Sequence, residues 1–180
     1  FRLGDLHVKP INKNSKTIMM NSSTTKIAQV NLIKEVFGCY GHYGLTNSKG
    51  VYSVCCNLDK SFSFLIPKED KIEDWILNNT EYFFSFVAGY TDAEGNIGVY
   101  SKKARYRVGS YDKNILSQMY NKLKENNFNT KFRLETKKGI YKDRKHNGDF
   151  YRVSINEKTD LLRFLRKIKP YLKHEKRLKN

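Results

Sequence analysis

Two acidic residues, Asp92 and Glu94, close an apolar stretch in the middle of the chain and are the side chains best placed to do chemistry. The stretch begins near Tyr82 with Thr80 as its predicted N-cap, and its apolar positions cover almost the whole circumference of a helix, which predicts a buried helix. The helix macrodipole disfavours an anion at the C-terminal end, so Glu94 there is typical of a cation site. On spacing alone, the two acids would also fit a solvated helix end.

Small residues line this predicted helix. Residues four apart share a helix face, where small side chains let a second backbone approach closely. Two such pairs occur, Ala88 with Asp92 and Gly89 with Ala93. With these residues in place, Val87–Gly95 resembles the nine-residue signature of the LAGLIDADG homing endonucleases. The resemblance implies that Glu94 is the catalytic acid of that signature.

The charge of the chain predicts a polyanionic partner. Lys and Arg number 34 against 18 acidic residues, a net charge of +16, which favours nucleic acid first and an anionic membrane second. The membrane alternative is disfavoured because no apolar run reaches the roughly eighteen residues that a membrane-spanning helix needs. Nucleic acid is therefore the expected partner.

The three cysteines, Cys39, Cys55 and Cys56, are odd in number and lack the C-x-x-C spacing of a zinc or redox site. We interpret them as small hydrophobic residues of the core. This usage favours an intracellular, reducing compartment that contains DNA, with cytoplasm and organelle equally compatible.

Weak internal repeats indicate that the chain contains two copies of one unit. The matches at a spacing of 90 are Thr17–Asn21 with Arg107–Tyr111 and Ile33–Glu35 with Leu123–Glu125. Tyr52 and Tyr151 repeat at a spacing of 99. The growth in spacing predicts a longer, exposed hairpin in the second copy, over Lys137–Asp149.

The two copies predict an α+β fold of two domains, residues 1–79 with a linker and residues 80–180. Each copy reads as αββαββα, with Ser61 and Thr159 as N-caps of the third helices. This duplicated order is that of LAGLIDADG proteins, and the resemblance covers essentially the whole chain. It implies a monomer in which two antiparallel sheets form a saddle around two central motif helices.

The resemblance also implies a first motif helix at the start of the chain. Gly4-Asp5 aligns with Ala93-Glu94, so Phe1 would stand in the middle of that helix and about ten apolar and small residues, nearly three turns, would precede it. If Asp5 is misaligned, the protein would be a nickase, or a homodimer built on Glu94 alone.

In the strand-like segments polar residues alternate with apolar ones, which predicts a core face and a polar face rich in Lys and Arg. A solvated sheet has the same alternation, but the net charge favours a surface for phosphates and base edges. The DNA-binding candidates of the first copy are Lys9, Asn12, Lys13, Asn14, Lys16, Ser53 and Asn57. Those of the second copy are Lys102, Arg105, Arg107, Lys131, Arg133, Glu135, Lys137, Arg152, Ser154 and Asn156.

The resemblance implies a divalent-metal site for each strand of the DNA. Asp5 and Glu94 would hold Mg²⁺ together with the carbonyls of Gly4 and Ala93; Mn²⁺ would substitute, and Ca²⁺ would support binding without cleavage. The groups expected around the attacking water are Ser110, Asn21 or Met20, and Lys173 or Lys176. The implied function is a homing endonuclease that cleaves both strands of double-stranded DNA across the minor groove. The alternative is a non-cutting nucleic-acid binder of the same fold, such as an intron RNA maturase or a regulator.

Overall fold

The computed structural model describes residues 7–67, 69–141 and 144–173. Two compact units make up the chain, Phe1–Glu69 and Asp70–Asn180. Each contains a four-stranded antiparallel sheet with helices on one face, so the predicted α+β class is confirmed. Three of the predicted site residues lie outside the described residues. They are Gly4, Asp5, which is the predicted acid of the first copy, and Lys176.

The first unit is a sheet with one helix packed on it. Its elements are β1 (His7–Pro10), β2 (Thr17–Thr24), α1 (Ile27–Phe37), β3 (Gly41–Ser48) and β4 (Val51–Asp59), and the strand order is β1-β2-β4-β3. The alternate residues of β2 and β4 that face α1 form the core with it, and they include Met20, Val54 and Leu58. The predicted third helix is a short 3₁₀ helix, Lys60–Leu65, which ends before Pro67.

The second unit repeats this plan and extends it. Its elements are α2 (Asp74–Leu77), α3 (Thr80–Glu94), β5 (Gly95–Tyr100), β6 (Lys103–Ser110), α4 (Lys113–Glu125), β7 (Thr130–Thr136), β8 (Gly139–Tyr141), β9 (Arg144–His146), β10 (Phe150–Ile155) and α5 (Lys158–Ile168). The sheet order is β5-β6-β10-β7, which matches the order in the first unit. The predicted hairpin is the separate pair β8-β9, closed at its base where the Lys138 N–H donates to Asp149 Oδ1 at 2.8 Å.

The structure contains the predicted repeat, but the equivalent strands and helices of its first part are four residues closer in sequence than the predicted spacing. The strands β2 and β6 begin and end 86 residues apart, and so do the first residues of α1 and α4. The buried helix positions Val30 and Leu116 have the same spacing. A slip of four residues is close to one helical turn and leaves strand faces unchanged, so the apolar pattern alone could not detect it.

Helix caps in the structure lie one or two residues before the predicted ones. The Asn79 side chain accepts the Tyr82 N–H at 3.0 Å, where Thr80 was predicted to cap α3. Asp59 caps the 3₁₀ helix and Glu157 caps α5, rather than Ser61 and Thr159. The acidic side chains reach the free N–H groups of the first turn and suit the positive end of the helix dipole.

Residues 70–79, which the sequence predicts as a linker after the first copy, pack with the second unit. The Asp70 carboxylate accepts the backbone N–H groups of Asn114 and Ile115, both at 2.9 Å, at the first turn of α4. The Ile72 N–H donates to Gln118 Oε1 at 2.8 Å, and the Ile72 side chain is buried. Among the described residues, no helix has the length and apolar character needed to span a membrane.

Candidate nucleic-acid interface and active site

Helix α3 delivers Glu94 to the edge of the second sheet, and polar bonds in the core fix its last turns. The Tyr90 hydroxyl donates to Asp112 Oδ2 at 3.2 Å, and Thr91 Oγ1 donates to the Val87 carbonyl at 2.7 Å. Thr91 Oγ1 also lies 3.0 Å from the hydroxyl of Tyr106, which is fully buried in β6. Burial raises the pKa of both tyrosines, so both stay neutral.

One face of α3 is exposed, which differs from the fully buried helix that its composition predicts. Tyr82 is half exposed, and Gly89 and Ala93 are exposed. Within the part of the chain that the structure describes, no heavy atom lies within 4 Å of a Cβ built on Gly89. This face carries Gly89 and Ala93, one of the two small-residue pairs identified in the sequence, whereas Ala88 of the other pair is buried. The predicted partner helix falls outside the described residues.

Glu94 opens into a depression of about 250 Å³ on the polar side of the sheet. The lining residues are Glu94, Asn96, Tyr100, Arg107, Gly109, Phe150 and Arg152. A carboxylate thus stands beside two guanidinium groups at the point where α3 meets β5. Such a group of charges can hold a cation at the acid and a phosphate at the arginines.

Arg152 is the most constrained cation of this depression. Its Nη1 lies 2.6 Å from Glu135 Oε1, and both side chains are about three-quarters buried. Arg133 Nη2 lies 4.0 Å from the same oxygen. Burial, followed by the like charges of Arg107 and Arg133, lowers the pKa of Arg152, and Glu135 opposes that shift. The guanidinium remains charged, and Glu135 fixes its direction.

The other predicted residues of the second copy lie on the same sheet or just beyond its strands. Residues that lie directly opposite each other on neighbouring strands point to the same side of a sheet. The registers of β5, β6, β10 and β7 therefore place the predicted cations on one face. The residues that share it are Arg105, Arg107, Lys131, Arg133, Glu135, Arg152 and Ser154. Lys102 lies in the turn between β5 and β6 at a φ of 62°, and Lys137 and Asn156 are exposed just beyond β7 and β10.

The first copy has the same face with different side chains. Lys9 lies on β1, and Ser53 and Asn57 lie on β4, all on the side away from α1. The connection between β1 and β2 carries the exposed residues Asn12, Lys13, Asn14 and Lys16. Asn21 lies on the same face in the middle of β2, whereas Met20 is buried in the core.

Ser110, which the resemblance places among the groups around the attacking water, is not one of the residues that line the depression. Its Oγ donates to Asp112 Oδ2 at 2.7 Å and accepts the Asp112 N–H at 3.1 Å, on the core side of β6. Thr24, which occupies the same position in the first copy, accepts the Lys26 N–H at 3.1 Å. Both hydroxyls therefore shape the turn between a strand and the helix that follows.

Lys173 is brought close to the motif acids through its backbone. Its N–H donates to Asp92 Oδ2 at 2.7 Å, which ties the segment after α5 to the last turns of α3. Among residues 7–67, 69–141 and 144–173, no three His, Cys, Asp or Glu side chains group as metal ligands. Glu94 and the adjacent Ala93, whose carbonyl is the second predicted metal ligand, both lie at the C-terminal end of α3.

Sequence reasoning missed the uncharged residues of the depression. Asn96, Tyr100 and Phe150 line it, and the Phe150 ring lies over Gly109, where an added Cβ would come within 2.7 Å of ring atoms. Glycine inside a strand is a signal of such close approach. Gly98 and Gly109 carried that signal in the sequence.

Comparisons with known proteins agree with this architecture. Residues 81–169 match the LAGLIDADG-like domain family. Mesophilic variants of the homing endonuclease I-DmoI are 14% identical over 92% of this chain and 89% of theirs, with a TM-score of 0.58. I-DmoI in complex with DNA and Ca is 13% identical over 91% of this chain and 81% of its own, with a TM-score of 0.60.

A third solved structure with this fold is the N-terminal LAGLIDADG domain of DUF199/WhiA. It is 18% identical over 91% of this chain and 75% of its own, with a TM-score of 0.50. No curated protein shows significant sequence similarity to this chain. At these identities, the likeness to solved structures establishes the fold.

Proposed function

Because this chain belongs to the LAGLIDADG family through its domain at residues 81–169, we propose that it is a site-specific DNA endonuclease that requires a divalent metal ion. The observation that carries the proposal is the position of Glu94. Its carboxylate opens into one depression with Arg107 and Arg152, on the sheet face where the cations of the second unit collect. Metal-dependent cleavage of a phosphodiester uses such an acid to hold the metal ion close to the cationic groups that bind the nucleic acid.

The donor set at Glu94 fits a hard cation. A carboxylate and a neighbouring carbonyl are oxygen ligands, and Mg²⁺ is commonly held by one or two carboxylates, several waters and substrate phosphates. Mn²⁺ would substitute, and Ca²⁺ would support binding without cleavage. Solved complexes of I-DmoI contain DNA with Ca and DNA with Mn. When bound, the metal ion supplies an activated water and stabilises the leaving oxygen.

The residues of the chain then have separate tasks. Glu94 holds the cation, and cations of the adjoining sheet face hold the DNA backbone by charge-assisted hydrogen bonds to its phosphates. The polar sheet faces position the duplex, and Asp5 would serve the second strand as Glu94 serves the first. The protein would act as a monomer on double-stranded DNA.

A selection from a randomised duplex pool with Mg²⁺ tests the proposal, because it recovers cleaved sites whatever the target sequence is. On the selected site, Glu94→Gln should lower the cleavage rate by several powers of ten, since each 1.4 kcal/mol of lost transition-state stabilisation is tenfold in rate. Binding of the same site in Ca²⁺ should persist. Glu125→Gln, an exposed acid on α4, is the matched control and should cleave normally.

The second candidate function is a nucleic-acid binder that does not cut. The distance of most cations from Glu94 supports this candidate. Most cations of the second sheet lie on strand positions away from Glu94, so affinity does not require the acid. Specific binding without cleavage in Mg²⁺ or Mn²⁺ would support this candidate. Preferential binding of structured RNA over duplex DNA would point to a maturase.

A further inference from the structure

The strand registers allow the two polar faces to be compared position by position. Asn21 pairs with Cys55 in the first sheet as Arg107 pairs with Ser154 in the second. The spacings of 86 for β2 and β6 and 99 for β4 and β10 make these pairs equivalent.

At five equivalent positions a cation in the second sheet is replaced by an uncharged residue in the first. The replacements are Arg105 by Met19, Arg107 by Asn21, Lys131 by Gly44, Arg133 by Thr46 and Arg152 by Ser53. On the described strands of the first sheet, this face keeps one lysine, Lys9. The two faces therefore share a strand order and register and differ in chemistry.

From this contrast we propose that the two sheets read half-sites of different base composition. The second sheet would take a half-site that contains guanines, and the first an A·T-rich half-site. The inference rests on the proposed recognition of duplex DNA, but it does not require cleavage. It names a property of the target that follows from this chain's own residues.

The chemistry of base edges gives the direction of the difference. Arginine donates two hydrogen bonds to guanine O6 and N7, and this is the commonest specific contact in the major groove. Asparagine matches adenine N6 and N7, and apolar atoms contact the thymine methyl group. Asn21 and Met19 are half-buried on the first face and supply these two kinds of contact.

The side chains of the second face are also held ready for such contacts. Glu135 fixes Arg152 by a 2.6 Å ion pair, and the ring of Tyr100 supports Arg107. A fixed arginine loses less side-chain entropy when it binds. In the first sheet the Ser23 and Ser53 hydroxyls lie 3.4 Å apart, so short side chains there offer adaptable donors and acceptors.

Base analogues test the proposal on the unaltered protein, in a site selected by binding in Ca²⁺ so that no cleavage is required. Replacing guanine with 7-deazaguanine removes N7, and replacing thymine with uracil removes the methyl group. We expect 7-deazaguanine to weaken binding about tenfold when placed in one half-site and uracil to weaken it severalfold in the other. Equal sensitivity of both half-sites to each analogue would overturn the proposal.

Exchange of one equivalent pair then assigns each half-site to a sheet. In selections by binding in Ca²⁺, Arg107→Asn should lose a guanine preference in the guanine-containing half, and Asn21→Arg should gain one in the A·T-rich half. Lys124→Ala, on the exposed side of α4, should leave both preferences unchanged. If both exchanges alter the same half-site, or neither alters any position, the assignment is wrong.

The outcomes separate this inference from the endonuclease proposal. A protein that binds with different half-site chemistry and never cuts retains the inference and refutes the nuclease. A protein that cuts a site with chemically equivalent halves refutes this inference and retains the endonuclease proposal.

Discussion

The guanidinium carbon of Arg107 lies 4.8 Å from the centre of the Tyr100 ring, which is cation–π geometry. The Tyr100 hydroxyl donates to Asn96 Oδ1 at 2.6 Å, so the ring folds back along β5. A Cβ on Gly98 would come within 3.3 Å of Tyr100 Cε2, which shows how closely the ring covers that residue. Tyr100 thus holds Arg107 in the depression that contains Glu94.

Removal of the ring should weaken DNA binding. Tyr100→Leu should cost about 1 kcal/mol, or roughly fivefold in affinity, because the cation–π contact is lost. Tyr100→Phe keeps the ring face and should lose much less. Equilibrium binding to the selected duplex in Ca²⁺ measures both, and equal losses would mean that the hydroxyl rather than the ring positions Arg107.

Affinity for DNA should fall steeply with salt. With about six to ten phosphate contacts, log K should change with log salt at a slope of roughly −5 to −9, since each bound cation releases counterions. Substitution of Lys137, an exposed cation just beyond β7, by Ala should reduce the slope by about 1. Titrations at several salt concentrations give the slope, and a value near −1 would place the cationic face outside the interface.

The motif helix and the α+β class could be predicted because local patterns determine them. The small residues of Val87–Gly95 and the two-residue alternation of the strands are readable without tertiary information. The sheet face on which Ser110 lies could not be predicted. Its hydroxyl hydrogen-bonds with the side chain and the backbone N–H of Asp112, at the turn into α4. A strand-end serine that faces a solvent site and one that closes a turn have the same local sequence.

The order of the repeats was predictable, but their alignment within β2 and α1 was not. A slip of four residues preserves both helical and strand periodicity, so Ile33 aligned with Leu123 when its structural equivalent is Met119. Only cross-strand pairing fixes the equivalence, and that pairing is long-range. The correction matters for function, because it makes Asn21 rather than Thr17 the equivalent of Arg107 when the two faces are compared.

Loss of the Asp70 carboxylate should destabilise the second unit. It supplies two hydrogen bonds to the first turn of α4, so Asp70→Ala should lower the free energy of unfolding by about 1 kcal/mol, as expected for a lost N-cap. Asp74→Ala removes an exposed acid with only a 3.8 Å contact to Lys71 and is the control. Denaturant unfolding of the full chain compares them; equal losses would mean that Asp70 does not act as a cap.

Acid should weaken the cap of α5. Hydrogen bonds from the backbone of Asp160 and then Thr159 lower the pKa of Glu157. Its carboxylate therefore stabilises the fold above the ordinary glutamate pKa of about 4.3, and this contribution disappears as pH falls through the lower folded value. Glu157→Gln should show a smaller drop in melting temperature between pH 6 and pH 3 than the parent does. An identical drop in both proteins would contradict this role.

The contact between Thr91 and Tyr106 couples the motif helix to the sheet beneath it. Both residues are fully buried, and their oxygens lie 3.0 Å apart. Thr91→Val should destabilise by about 2 kcal/mol, because it leaves the Tyr106 hydroxyl without its partner in the core. Tyr106→Phe should cost less, since Thr91 Oγ1 still donates to the Val87 carbonyl at 2.7 Å.

The double variant distinguishes this coupling from two independent losses. In the double variant, Thr91→Val with Tyr106→Phe, both hydroxyls are gone, so no hydroxyl is left in the core without its partner. The loss of stability in the double variant should therefore be about 1 kcal/mol smaller than the sum of the losses in the two single variants. Denaturant unfolding of the four proteins, with the slopes compared for two-state behaviour, measures the interaction. Strict additivity would mean that the hydroxyls do not stabilise each other. In that case, the position of Glu94 at the end of α3 would depend on apolar packing and the Tyr90–Asp112 bond.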